Sequence, residues 1–368
     1  MDCKQVTDGP WSIAVALASF LAQGILGGHV YTTGIFYTIF KQQYPGASEV
    51  AISWMCTLPL TLWFIVGPLG SIFTNRYGCR ICSVIGGLLA SFGLTLCYVS
   101  TKFYMVFVFY GLLAGIGNGI HYVGFVTAVN RYFKKYRLIA NIISTIGVTF
   151  GMAVYAALVP PMTETFGWKG TLLILGGISF NLCALGCALF PTVSQSSSSK
   201  VLNIGLLRDK YFLLFGVQYL FCNLSSSMIF LHLPALLLSF ETGASYWFFS
   251  LTVYGIANCF MKVLYSVIVY LRKPDSSIVY TGSLTISGIV MILLPALQNQ
   301  VWVIVLVAIL GCTCSVTGGH NVEVILYLVG QENVSDGLGF GQVAKASGSL
   351  LAGPLAGLLY EASRRYDT

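Results

Sequence analysis

Charge is scarce in this sequence. Asp, Glu, Lys and Arg make up 8% of its 368 residues, against about 25% in an ordinary soluble domain. With a mean hydropathy of +0.81, that shortage excludes a water-soluble globular protein. Acids are rarer than bases, 12 against 19. In so apolar a chain the excess of base points to cytoplasmic loops of a membrane protein and not to nucleic acid. Other features are missing too. Cys79 and Cys82 form a lone CxxC with no second ligand pair, so no metal is expected. Most of the remaining cysteines lie inside apolar runs, where they act as small packing residues. The glycines of GLLAGIGNGI, 111–120, follow no strand and continue as an apolar run, which reads as close helix packing and not as a nucleotide loop. No ATP-binding signature and no catalytic constellation is present, so neither an enzyme nor a cofactor is expected. The opening MDCKQVTDGP is polar and does not read as a cleavable signal peptide.

Long apolar runs are what the sequence has in plenty. A helix needs roughly 20 apolar residues to cross a bilayer, and the runs between charged or Pro/Gly breaks predict an all-α polytopic membrane protein of eleven spans. These lie near 11–36, 50–73, 79–99, 103–128, 138–160, 169–191, 211–238, 245–270, 277–296, 301–329 and 337–360. The Ser-rich stretch PTVSQSSSSKVLN, 191–203, reads as a flexible linker. It divides the chain into an N-terminal six-helix bundle (1–191), a cytoplasmic linker (192–210) and a C-terminal part of five helices (211–368). With the N-terminus cytoplasmic, basic residues fall twelve inside to five outside, the expected asymmetry. The densest group is Arg131, Lys134, Lys135 and Arg137 in NRYFKKYRLIAN, between spans 4 and 5.

Three charged residues remain inside spans: Lys262, Glu323 and Lys345. An intramembrane charge is costly and marks a functional position by default. Asn258 and Lys262 are four apart on span 8, which places them on one helix face. Lys262 then offers a cation with no carboxylate opposite it, suited to an anionic substrate; the alternative is that its stem snorkels to the interface. Glu323 and Lys345 lie at similar depth on adjacent spans and are expected to pair, as a pair that breaks or takes up a proton during transport, or as a static one. His29, in GILGGHVY of span 1, is either a proton relay or a packing histidine.

Six spans, a linker and a second set of spans resemble the major facilitator superfamily, in which two bundles hold a site near the bilayer midplane. GSIFTNRYGCR, 70–80, is similar to its G-x-x-x-D-R-x-G-R-R signature, with Asn75 in place of the acid and Arg76 and Arg80 placed where cytoplasmic gating contacts form. Further stretches resemble the monocarboxylate transporter family. DGPW, 8–11, looks like its D-G-G-W-G-W, with Pro10 and Ile13 departing from it, and RYFKKYRLIAN looks like R-Y-F-x-K-R-R-x-L-A-N. LNIGLLRDKYFLLF, ENVSDGLGFG and AGPLAGLLYEASRRYDT also resemble that family. The resemblance covers nearly the whole chain and implies a divergent member: two bundles, alternating access, a plasma-membrane location, a small carboxylate-bearing substrate and, in some members, a single-span immunoglobulin-type chaperone. Members normally carry a twelfth helix after the final motif, so a truncated C-terminal bundle is expected.

In members that carry lactate with protons, a Lys on span 1 meets the carboxylate, while an Asp and an Arg on span 8 handle proton and anion. The resemblance puts Tyr31 at the Lys, Asn258 at the Asp and Lys262 at the Arg. Tyr31, Asn258 and Lys262 are therefore the candidate substrate-binding residues. The missing Lys and Asp put the family's proton coupling in question and leave facilitated diffusion of a carboxylate as the main expectation. The other expectation, from a different class, is a non-transporting membrane protein with an accessory or sensing role.

Overall fold

The computed structural model describes residues 8–190, 204–238, 249–272, 276–294, 296–297 and 299–363. The expected linker falls largely outside the described residues, as do the side chains of Asn75, Arg137 and Glu323. Pro10 opens α1 (Pro10–Tyr31) at its first position, where the missing N–H is one the helix would not have used. After Thr32 the chain continues as α2 (Thr33–Gln43), and the two helices together make the first span. Ser48 caps α3 (Glu49–Tyr77), its Oγ accepting from the Ala51 N–H at 3.2 Å; Glu49 adds negative charge in the first turn, where the helix dipole favours it. Gly78, at φ 89°, turns the chain into α4 (Cys79–Leu96), a backbone state that only a residue without Cβ adopts freely.

The fourth span is interrupted. α5 (Phe103–Val106) passes into a π-helical stretch, Phe107–Leu113, before α6 (Ala114–Tyr132). α7 (Arg137–Cys187) is two helices joined across a kink at Gly167 (φ 65°), matching expected spans 5 and 6. Then come α8 (Lys210–Leu238), α9 (Phe249–Arg272), α10 (Ser276–Leu293) and α11 (Gln300–Ser363), which bends at Gly330 (φ 73°) into spans 10 and 11. Among the described residues seven helices are long and apolar enough to cross a membrane, with Ile139–Cys187 taken as one, and Ile278–Leu293 and Val301–Thr317 are shorter apolar helices; the chain is a multi-pass membrane protein. Two of the expected interhelical breaks are each reduced to a single glycine.

Helices in lipid gain little from hiding apolar surface and associate where small residues let backbones approach. α1 and the first part of α7 show this. A Cβ on Gly27 would overlap the Val148 backbone, one on Gly151 the Gly24 backbone, and one on Gly147 the Phe20 carbonyl. In the same half, α4 packs on α6 and on the later part of α7, and α3 packs on α6. The halves meet along two seams, α3 against α11 and α7 against α9, with α2 against α8 between them. The end of the bundle that carries Asp8 and Gly78 is called proximal below, and the end that carries Glu49 and Gly167 distal.

Candidate functional site

At the α7/α9 seam the contacts are polar and directional. Lys262 Nζ donates to the Thr145 carbonyl at 3.0 Å, and Thr149 Oγ lies 3.0 Å from Cys259 Sγ. Thr252 Oγ1 donates to the Ala153 carbonyl at 3.4 Å. Lys262 is half-buried, and its ammonium reaches α7 across the seam between the halves. Asn258 does not share its surroundings. Its Nδ2 donates to the Gly311 carbonyl of α11 at 2.9 Å, and the residue is buried. Gly311 sits directly against the Tyr254 carbonyl, which brings the α11 backbone within reach of the amide. The expected shared face is divided: Asn258 ties α9 to its own half, and Lys262 ties it to the other.

The α3/α11 seam is built from small residues and rings. Toward the distal end Gly353 faces Ser53 and Thr57, and Gly357 faces Val50. In the middle, Ala346 packs with Leu60, Trp63 and Phe64. Here Lys345 Nζ lies 4.6 Å from the ring centroid of Tyr219 on α8 and 5.8 Å from that of Phe64 on α3. The expected partner Glu323 has its side chain outside the described residues; among the described ones no carboxylate lies within ion-pair distance of Lys345 or Lys262. Asn223 Nδ2 donates to the Lys345 carbonyl at 2.7 Å and to Ser349 Oγ at 2.6 Å, and Ser227 Oγ lies 2.9 Å from Ser349 Oγ. This polar ladder fixes α8 to α11 beside the lysine.

Tyr31 stands between the seams, where α1 gives way to α2. Its ring meets Trp63 edge-on at 6.0 Å and Phe230 at 5.0 Å. Phe230 in turn meets Tyr254 at 5.0 Å, and Trp63 stacks on Phe64 at 5.0 Å. A chain of rings therefore runs from Lys345 through Phe64, Trp63, Tyr31 and Phe230 to Tyr254, which precedes Lys262 by two turns of α9. The sequence reading placed Tyr31 and both lysines but missed the rings that connect them; their only signal was aromatic density near the out-of-place charges. His29 lies inside the N-terminal half, its Nδ1 2.7 Å from Asn118 Nδ2 and its ring edge-on to Tyr110 of the π-helical stretch.

A third cross-half contact, also missed, lies toward the distal end. Tyr37 Oη donates to Glu49 Oε2 at 2.7 Å, Lys41 pairs with Glu49 Oε1 at 2.8 Å, and the Tyr37 ring meets His232 of α8 at 4.9 Å. At the proximal end the sequence motifs interlock within the N-terminal half. The Asp8 carboxylate accepts from the backbone N–H groups of Lys134, Lys135 and Tyr136, at 3.1–3.5 Å. The N–H of Lys135, with its neighbours, holds the exposed Asp8 carboxyl below its ordinary pKa of 3.8. Trp11 Nε1 donates to the Ala188 carbonyl, and the Trp11 ring meets Phe190, over which the Arg80 guanidinium also lies, at 5.8 Å. Arg76 lies over Tyr77 and Lys135 over Tyr136. Asn130 and Asn141 bond to each other, and Tyr132 Oη donates to the Phe190 carbonyl. These contacts of Arg76, Arg80 and Lys135 lie within one half and anchor the bundle end.

Residues 15–353 match the Major Facilitator Superfamily. Monocarboxylate transporter 4 of Gallus gallus is 24% identical over 98% of this chain and 79% of its own length. Monocarboxylate transporter 14 of Homo sapiens is 32% identical over 50% of this chain and 36% of its own length. Among solved structures, a variant of the nucleoside transporter NupG superposes with a TM-score of 0.76 over 97% of this chain and 93% of that one, at 14% identity, a likeness of fold alone. With its two seams, its central chain of rings and these relatives, the chain belongs to the Major Facilitator Superfamily as a secondary transporter and not an enzyme, a divergent relative of the monocarboxylate transporters.

Proposed function

We propose that the protein moves a small carboxylate-bearing metabolite across the plasma membrane by alternating access, with residues 1–191 and 211–368 rocking about the seams and the N-terminus in the cytoplasm. One observation carries this reading: Lys262 and Lys345, each reaching from the C-terminal half toward the N-terminal half with no carboxylate in ion-pair distance among the described residues. An ammonium in a low-dielectric site is costly unless something compensates it. A substrate carboxylate does so, and it arrives where the halves part. Lys262 spends one of its three hydrogens on Thr145 and keeps two for the substrate. Tyr31 lies beside the same path. Asn258, bonded to Gly311 and unable to ionise, supplies no proton site next to Lys262, so transport proceeds without obligatory proton coupling.

The test is uptake of isotope-labelled pyruvate and lactate into vesicles holding the purified protein, with and without an inward proton gradient. Uptake is expected to be saturable and indifferent to the gradient. Lys262→Ala should lower it about ten-fold or more, a loss of about 1.4 kcal/mol in transition-state binding, with Lys262→Arg retaining most of it. Gradient-stimulated uptake that survives both Glu323→Gln and His29→Ala would contradict the uncoupled mechanism. Full uptake by Lys262→Ala would remove this lysine from the site.

A further inference from the structure

Lys345 sits in unusual company for a charge at mid-membrane. Its ammonium rests on Tyr219 from its own half and on Phe64 from the other. A ring face attracts a cation through its quadrupole, a weaker pull than a full negative charge supplies at the same depth. The two rings are therefore a resting place that a carboxylate can take over. When the ammonium swings to a carboxylate, the faces of Tyr219 and Phe64 lose their cation, and an apolar planar group is what fits in its stead. A second observation points to a ligand at the same place. Trp63 stacks on Phe64 with ring centroids 5.0 Å apart and planes 17° from parallel, and it is 7% exposed. Its indole N–H has no acceptor among the described residues, although a buried donor is ordinarily satisfied.

We infer that Lys345, Tyr219, Phe64 and Trp63 form a recognition site for a carboxylate carried on a planar, ring-bearing body with an acceptor oxygen near the carboxylate. The ammonium takes the carboxylate, the two rings take the body, and the indole N–H takes the oxygen. This inference rests on the carboxylate reading above and narrows it, setting short hydroxy and keto acids below ring-bearing ones. It also gives substrate a handle on the seam. Phe64 is the part of the lysine's resting place that belongs to the other half, so loading the site removes a link between α3 and α11 at the moment when the halves must move.

Labelled phenylpyruvate and labelled pyruvate, offered separately to vesicles, test it. The wild-type protein should favour phenylpyruvate by about ten-fold or more in kcat/KM, and Lys345→Ala should lose about ten-fold or more on phenylpyruvate while Lys345→Arg keeps it. Phe64→Leu and Tyr219→Leu should bring the phenylpyruvate-to-pyruvate ratio toward one while pyruvate uptake continues, a change that a merely structural role would not produce. Pyruvate uptake with no ring preference in the wild type, or an unchanged ratio in all three truncating variants, overturns this inference and leaves the transport reading standing. A wild-type protein that takes up neither acid overturns the transport reading itself, and this inference with it.

Discussion

The two seams between the halves solve one problem with different chemistry. At α7/α9, Lys262 reaches across to a backbone carbonyl, flanked by Thr149 with Cys259 and by Thr252 with Ala153. At α3/α11, Lys345 reaches across to a ring, flanked by Gly353, Gly357 and Ala346. Hydrogen bonds weaken steeply once their distance or angle departs from a narrow range. Ring and small-residue contacts tolerate sliding. The first seam is thus built to be either made or broken, and the second to roll while remaining in contact. Under the proposed function the lysines have different duties: Lys262 is a latch that substrate can share, and Lys345 is a cation lent to rings until a carboxylate comes.

The contrast can be broken most forcefully by fixing the directional seam. Thr149→Cys places a second sulfur where an oxygen already lies 3.0 Å from Cys259 Sγ, close enough for a disulfide after a small adjustment. Oxidation should abolish nearly all uptake, and a reductant should restore it. Full transport by the oxidised protein would mean that this seam never opens. Removing charge from the latch comes next. Lys262→Met keeps much of the stem, and it should cost about 1 kcal/mol of stability through the lost bond to Thr145, read as a lower melting temperature, in addition to the uptake loss described above.

A change with less effect on uptake separates seam from core. Gly151→Ala forces a methyl onto the Gly24 backbone, and overpacking of this kind costs about 1–3 kcal/mol; the melting temperature should fall with the inward/outward balance unchanged. Gly353→Ala meets Ser53 and Thr57 across the rolling seam and should instead shift that balance, read by cysteine-labelling accessibility at the two faces. If both variants change stability alone, the seam is as rigid as the core. The smallest effect belongs to Asp8, which is only partly buried. Its carboxyl is held below 3.8, so what it contributes is fully present above that value and is lost as pH falls through the folded one. Asp8→Asn should flatten the acid side of the stability-against-pH curve and leave neutral transport intact.

The all-helical, membrane-spanning character of the chain was legible in the sequence, because bilayer thickness sets the length of each apolar run. The motifs were legible too, and Asp8 and Trp11 do meet the segment 131–141 and Arg80 around the proximal end. Orientation about each helix axis was not. A helix that is apolar all round carries no polarity signal for which face meets which neighbour, so the four-residue spacing put Asn258 beside Lys262, while backbone proximity at Gly311 turned the amide elsewhere. Charge complementarity suggested Glu323 for Lys345, and ring faces, which carry no formal charge, escaped that reasoning. The π-helical stretch and the bends at Gly167 and Gly330 were invisible for a related reason: each changes hydrogen-bond register or one dihedral angle without altering composition. The packing signals open to reading were the glycines of 111–120 and the spacing of Gly24 and Gly27 against Gly147 and Gly151.

That glycine contact has a consequence for how the transporter works. Where α1 and α7 touch through bare peptide groups, there is no cushion of side chains whose rotamers could absorb a shift of one helix past the other. The helices on that side of the molecule are therefore set to tilt as one block, and under the proposed alternating access the movement that uncovers Tyr31 to each compartment falls at the boundary of that block.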